Sequence, residues 1–350
     1  EEAAGGADRL LSSVRFRFLV TETRPGNELT EDSMSRLLNQ GKKQAINTGL
    51  LIAAIASMFL LQSVGAATVA PQKSFSSADE AAKAAVNAAR NNDDKTLLAI
   101  FGAQAKQILF SGDPVADKER RAHFIAAYDE KNRLAEEGGS MILIVGKQDW
   151  PFPIPLVKKG QGWVFDTEKG KQEILNRRVG ENELYTIQSI LAVVDAEREY
   201  AIKDHNSDGL LEYAQKFVSD PGKKNGLYWD VKQGEPQSPL GPIMIQARQE
   251  GYQRKSVTTP SPYHGYYYRI ISAQGKNAPG GAYSYIVKGK MIGGFAVVAY
   301  PAEYGNSGVM RFIVNHDGKV FQKNLGANTA AVAKSMKEYN PDKTWTEVKP

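Results

Sequence analysis

Asp204-His205-Asn206-Ser207-Asp208-Gly209 is the stretch of this chain whose residue types and spacing come nearest to a chemical site. Calcium takes about six to eight oxygen ligands, and the pattern D-x-N-x-D-G sets three of them on one tight turn with glycine at its sixth place. The ligands would be the side chains of Asp204, Asn206 and Asp208, the carbonyl of Leu210, and Glu212 at the ninth place. The twelfth place, where a bidentate glutamate belongs, holds Gln215, so Glu212 or Asp220 would have to stand in. Calcium is therefore the cofactor expectation. The competing reading is a polar loop between two helices, closed by a glycine.

The four histidines, His123, His205, His264 and His316, form no H-E-x-x-H pair, so a zinc site has no local signature. His123 reads as a helix-surface residue and His316 as a turn residue. His264 stands in Tyr263-His264-Gly265-Tyr266-Tyr267-Tyr268. Tyr and Trp offer flat apolar area with a polar handle, which makes His264, Tyr266, Tyr268, Trp150 and Trp163 the ligand-binding candidates. Sheet packing of alternating tyrosines is the competing reading. No G-x-S-x-G elbow, S-x-x-K box or Walker loop is present, and the glycines of 289–294 run into a strand. Glu181 and Glu183 fit a helix N-terminus. Lys118, Arg120 and Arg121 alternate with Asp117 and Glu119 as a solvated helix face, not a nucleic-acid patch. No catalytic residue is assigned.

Composition bounds the rest. The chain has 350 residues, 44 Lys+Arg against 39 Asp+Glu, and no cysteine. That length makes about two domains, and a mean hydropathy of −0.40 describes an ordinary globular chain. Without cysteine there are no disulfides, thiolate metal sites, thiol nucleophiles or thioether lipid anchors.

Arg36, Lys42 and Lys43 precede an apolar run, Gly49–Leu61, followed by Val64-Gly65-Ala66. This is the layout of a signal peptide cleaved near Ala66, and the run is too short for a transmembrane anchor. Residues 34–66 are read as that signal, 1–33 as a leader or mis-extended start, and 67–76 as a linker. Export to the periplasm or medium follows.

Within 77–180, Ser77 with Glu80 marks a helix start, and helices are expected to Arg90, over 95–109 and over 116–136. Beyond Gly138-Gly139 come a buried strand at 141–145, an edge strand at 154–157, and Trp163–Phe165 after a turn at Gly160-Gln161-Gly162. Residues 181–350 open with a long helix, 183–203, whose apolar residues recur at helical spacing. A second helical stretch over 210–218 precedes strands at 266–271, 283–287, 294–300, 309–314 and 319–322, with a hairpin at Asn315-His316-Asp317-Gly318. The fold class is α+β, the first domain resembling a small NTF2-like cone.

Several long stretches carry a resemblance: SGDPVADKERRAHFIAAYDEK (111–131), NRRVGENEL (176–184), DGLLEYAQKFVSDPGKKNGLYW (208–229), SPLGP (238–242), YHGYYYRIISAQGKNAPGGA (263–282) and the run 289–326. In these the chain resembles a bacterial exported family catalogued as domain of unknown function 2950, which implies no established activity. The second half is more distantly similar to type IV pilin and pseudopilin heads, through the long helix, Gly265–Arg269, Ala299-Tyr300-Pro301 and the hairpin Gly308–Val320. It lacks a pilin processing site.

Three functions remain. The first is a non-enzymatic envelope binding or assembly factor, calcium-stabilised, whose partner would be an envelope protein or polymer. The second is a hydrolase of an envelope polymer using His264, Asp317 and Glu303. The third is a periplasmic small-ligand binder whose first domain opens near Trp150 and Trp163.

Overall fold

The computed structural model describes residues 71–253 and 261–349; the expected leader and signal peptide lie outside them. Ser77 Oγ accepts the Glu80 N–H at 3.1 Å and starts α1 (Ala78–Arg90), while the Glu80 carboxylate turns back to the Ser76 N–H at 3.0 Å. The reciprocal half of the capping box thus falls one residue early.

Asp93 caps α2 (Asp94–Phe101). Gly102, at φ +83°, then breaks the helix expected over 95–109, and the chain resumes as α3 (Lys106–Leu109). Asp113 caps α4 (Pro114–Glu130) by accepting from the Val115 and Ala116 N–H groups, each at 3.2 Å.

The helix expected to reach residue 136 stops at Glu130. Asn132–Glu137 is instead strand β1, paired antiparallel with β2 (Ser140–Val145) across Gly138-Gly139. Leu134, Ala135, Glu136 and Glu137 favour helix locally, but that preference is weak beside pairing with the apolar β2. After the short β3 (Trp150–Pro151) come β4 (Leu156–Lys159) and β5 (Gly162–Phe165), in the order β1-β2-β4-β5 with β3 beside β2. The strand expected over 154–157 begins later and is interior, not an edge. Pro153 and Pro155 precede its ladder, so their missing N–H groups cost it nothing.

The spine of the molecule is α5, a helix of 35 residues from Thr167 to Ala201. It begins well before the expected 183, so the expected domain boundary at 180/181 falls inside it. Two helix-weakening glycines, Gly170 and Gly180, hide the first half. Gly170 is required: a Cβ there would lie 2.5 Å from the Pro153 carbonyl oxygen. Leu175 joins a hydrophobic cluster built from residues 75–175, whereas Ile190, Val193 and Val194 join a second built from 190–339. One helix thereby carries both cores.

The second cluster surrounds a five-stranded antiparallel sheet. In chain order the second half contains α6 (Gly241–Glu250), β6 (Tyr266–Ile271), β7 (Ala273–Gln274), β8 (Tyr283–Ser284), β9 (Ile286–Val287), β10 (Lys290–Met291), β11 (Ala296–Pro301), β12 (Met310–Asn315), β13 (Phe321–Asn324), α7 (Thr329–Ser335) and β14 (Thr346–Glu347). The sheet order is β14-β13-β12-β11-β6. Successive strand residues face opposite ways: Tyr268 reaches Thr186 on α5, and its neighbour Arg269 donates to Ala333 O on α7 at 2.8 Å. With a helix on each face, β11 is buried throughout, which explains its unbroken apolar sequence.

Two expectations are corrected here. Residues 210–218 form no helix; Leu210 and Leu211 are exposed and the chain runs on to a parallel bridge between Val218 and Tyr228. The strand expected over 283–287 is split into β8 and β9, which pair with different partners. The fold class itself, α+β with antiparallel sheets, is as read from the sequence. No described helix is long and apolar enough to cross a membrane.

Candidate functional site

On α4, Phe124, Ile125 and Tyr128 are only half-buried; the fully buried residues of that helix are Ala116 and Asp117, near its start. Phe124 and Ala127 of that helix line a cavity of ≈ 600 Å³ between α4 and the sheet. Phe101, Phe124, Phe152, Ile154, Phe165 and Ile174 wall it. Phe152 sits at the centre of these rings, with centroids 5.2 Å from Phe124 and 6.2 Å from both Phe101 and Phe165. Volume and lining are those of small-molecule sites.

Trp150, 39% exposed, also lines the cavity, and the Arg177 guanidinium lies 5.0 Å over its ring. Trp163, paired with Trp150 in the sequence reading, lies outside the lining: it bridges Phe75 and carries the Lys158 ammonium over its ring.

Charged side chains also line the cavity. Arg120, Arg121, Lys147, Arg177 and Arg178 line it, against Asp117, Glu130 and Glu181. Arg120 and Arg121, expected as a solvated face, are in fact largely covered. Arg121 pairs with Asp94 at 2.7 Å, and Arg120 donates to Asn182 Oδ1 at 2.6 Å and to Glu181 at 3.3 Å.

Behind this wall lies a buried polar junction between the two halves of the chain. Arg178, 5% exposed, donates to the carbonyls of Gln107 (2.9 Å) and Ile108 and to Asn306 Oδ1. Asn182 donates to Ser307 O at 2.7 Å. Glu183 Oε1 accepts the N–H groups of Val309 and Met310, both at 2.9 Å. Its place in mid-helix corrects the helix-terminus reading of Glu181 and Glu183: Glu183 ties α5 to the start of β12. Asp113 Oδ2 accepts from Tyr252 OH and from the Gly265 N–H, each at 2.9 Å. Burial pulls Arg178 down to about 10, with Arg120 nearby acting in the same direction. Burial also raises the Asp117 carboxyl, although the Ser111 N–H bonded to it opposes the rise.

His264 belongs to this junction and not to an open groove. With Gly265 it forms the centre of a two-residue turn, at φ +46° and +76°, closed by paired hydrogen bonds between Tyr263 and Tyr266. Positive φ at both central places is the requirement of a type I′ hairpin turn. The imidazole is 6% exposed, stacks on Tyr185 at 4.3 Å and lies 3.3 Å from Glu250. Tyr266 is fully buried, its hydroxyl 3.0 Å from Met310 O and 3.5 Å from Glu183, and the Tyr268 hydroxyl is 3.5 Å from Thr186. These three candidates therefore pack α5 against the sheet. His264 faces Glu250, Asp317 lies beside His316, and Glu303 accepts from Asn306 Nδ2 at 2.8 Å, so no contact among the described residues joins the three hydrolase candidates. His123 stands on the surface of α4 as expected, its side chain 79% exposed.

In the 204–215 loop, Asp204 accepts the backbone N–H groups of Asn206, Ser207, Asp208 and Gly209. The Lys290 ammonium contacts Asp208 and lies 2.9 Å from Glu212, which also accepts from Asn206 Nδ2 at 2.9 Å. Gln215 turns away to donate to Gly289 O, and Leu210 gives its N–H to Asp208. No group of three or more acidic, His or Cys side chains suited to a metal occurs among the described residues. A lysine cation thus stands between the carboxylates that calcium would need. Thermal unfolding of Lys290→Met is expected to become calcium-responsive while the parent responds weakly. Equal responses would show that Lys290 does not compete for the site.

Sequence reasoning missed Asp113, Arg178, Asn182 and Glu183 as a set. A charged residue destined for burial looks like any surface residue until its partners are known. The available signal was their place inside the long stretches at 111–131 and 176–184, which meet their partners from 263–282 and 289–326 at this junction.

The fold and site together define an α+β protein with an apolar, arginine-flanked cavity braced by a buried polar junction. The profile of the DUF2950 family, proteins of unknown function, matches residues 72–348, and the chain belongs to that family. No curated protein and no solved structure matches it.

Proposed function

We propose that this is a non-enzymatic binding protein of the cell envelope, whose first half takes a small apolar or amphipathic molecule into the cavity beneath α4. The supporting observation is the cavity itself, ≈ 600 Å³ with aromatic and aliphatic walls. A well-packed core leaves few spaces of this size, and concave sites with mostly apolar and aromatic lining accept small molecules. Export rests on the signal-like sequence of residues 42–67, and calcium enters only as a competitor of Lys290.

The test is uptake of N-phenyl-1-naphthylamine, an uncharged dye that fluoresces in apolar surroundings, by the full chain. Ala127 lines the cavity from α4, and Ala127→Trp places an indole in the space. Dye binding is expected to weaken by about tenfold or more, since the ligand's buried apolar area is lost. Undiminished uptake by a folded Ala127→Trp protein would place the dye elsewhere and end this reading.

A further inference from the structure

Not every arginine at the cavity is matched by an acid. Arg121 and Arg177 are paired, with Asp94 at 2.7 Å and Glu173 at 2.6 Å. Arg178 has no carboxylate within ion-pair distance among the described residues; its acceptors are two carbonyls and the amide oxygen of Asn306. A buried guanidinium without a counter-charge is costly.

Two N–H groups also remain without an acceptor, Arg178 Nε and Arg120 Nη1, and both side chains line the cavity. Asp117 Oδ1 lies 3.6 Å from Arg120 Nη1, within ion-pair but beyond hydrogen-bond distance, and the other oxygen of that carboxylate accepts the Ser111 N–H. Glu181 contacts Arg120 through Nε and is half-exposed. This part of the cavity therefore offers two unpartnered N–H donors, with Asp117, Glu181 and Glu303 acting on Arg178 from beyond ion-pair distance, while Phe124, Phe152 and Phe165 also line the space.

Resting on the cavity-binding reading, we infer that the ligand is an anionic single-chain amphiphile. Its carboxylate or phosphate head meets Arg120 and Arg178, and its chain lies among Phe124, Phe152 and Phe165. Each guanidinium offers one unpartnered N–H, so the oxygens of either oxyanion would take one charge-assisted hydrogen bond from each arginine. Such a head would supply the counter-charge that Arg178 lacks and acceptors for both orphaned N–H groups. The aromatic and aliphatic lining residues would take the chain.

The experiment is displacement of N-phenyl-1-naphthylamine from the full chain by four amphiphiles of one chain length: dodecanoate, dodecyl phosphate, dodecanol and dodecyltrimethylammonium. The anions are expected to displace the dye at about tenfold lower concentration than dodecanol, the gain of a charge-assisted hydrogen bond. The tighter of the two anions identifies the head. Arg120→Gln should erase most of that advantage while leaving dodecanol unchanged, a selective effect that a merely structural role would not produce. Arg120→Lys, which keeps the charge without the fork, should keep part of it.

Equal displacement by dodecanol and the anions, or preference for the ammonium, would overturn the anionic head while leaving the cavity reading intact. An undiminished anion preference in Arg120→Gln would likewise overturn it. Failure of the dye to bind at all would instead remove the cavity reading. The head-group series on the parent protein decides the matter even if the variants fold poorly.

Discussion

Asp113→Ala is expected to lower the stability of the folded chain by about 3–5 kcal/mol, seen as a lower urea midpoint with an unchanged slope. One carboxylate does two jobs there. Its Oδ1 caps α4 through Val115 and Ala116, and its Oδ2 accepts Tyr252 OH and the Gly265 N–H from the second half of the chain. Loss of a cap alone costs about 1 kcal/mol. Each hydrogen bond to a charged acceptor contributes about 1.5–3 kcal/mol, and Asp113 is only 1% exposed, so water cannot replace it. The Gly265 N–H would be orphaned in the turn that holds His264. Asp113→Asn should fall between, because its amide brings a donor to a place that offers donors. A loss near 1 kcal/mol for the alanine variant would reduce Asp113 to a helix cap.

Glu197→Gln is expected to flatten the pH dependence of stability. Glu197 is 0% exposed on α5; Oε2 accepts the Ala214 N–H at 2.8 Å and Oε1 meets no partner. Burial raises its carboxyl well above the ordinary 4.5. The folded chain therefore keeps a proton that the unfolded chain releases above that pH. Unfolding releases the proton, so this group's contribution is full below pH 4.5 and declines as pH rises toward the folded value. The slope is at most about 1.4 kcal/mol per pH unit. Glutamine keeps the acceptor for Ala214 without the titration. Thermal midpoints should converge at acid pH and separate in favour of the variant toward neutrality. Parallel curves would show that Glu197 is not held protonated in the native state.

Much of the fold was legible in the residues. Ser77 at a helix start, the apolar repeat of 184–201, the strands near 266, 296 and 310, and the Asn315–Gly318 hairpin all follow from local pattern. Other elements were hidden for identifiable reasons. Asn132–Glu137 has helix-favouring composition, and only pairing with β2 makes it a strand. Gly170 weakens the helical pattern of α5 because the packing against Pro153 leaves no space for a side chain. His264 was read as a ligand-binding candidate before the 266–271 strand, although two residues at positive φ there make a turn that packs the ring inward.

The site was less legible still. Trp150 was placed near the cavity mouth from its aromatic character alone. Arg120 and Arg121 were read as solvated and Arg178 was not singled out, because sequence does not show which guanidinium will lose its water. Their burial is a property of two segments, 114–130 and 167–201, brought together by the fold.

The cavity's role is tested most directly by diffraction from the full chain crystallised with ω-bromododecanoate, using the anomalous signal of bromine. The account predicts a bromine peak between Phe124, Phe152 and Phe165, with the carboxylate within hydrogen-bond distance of Arg120 and Arg178. Bromine bound only outside the cavity, with the space beneath α4 still empty, would contradict it.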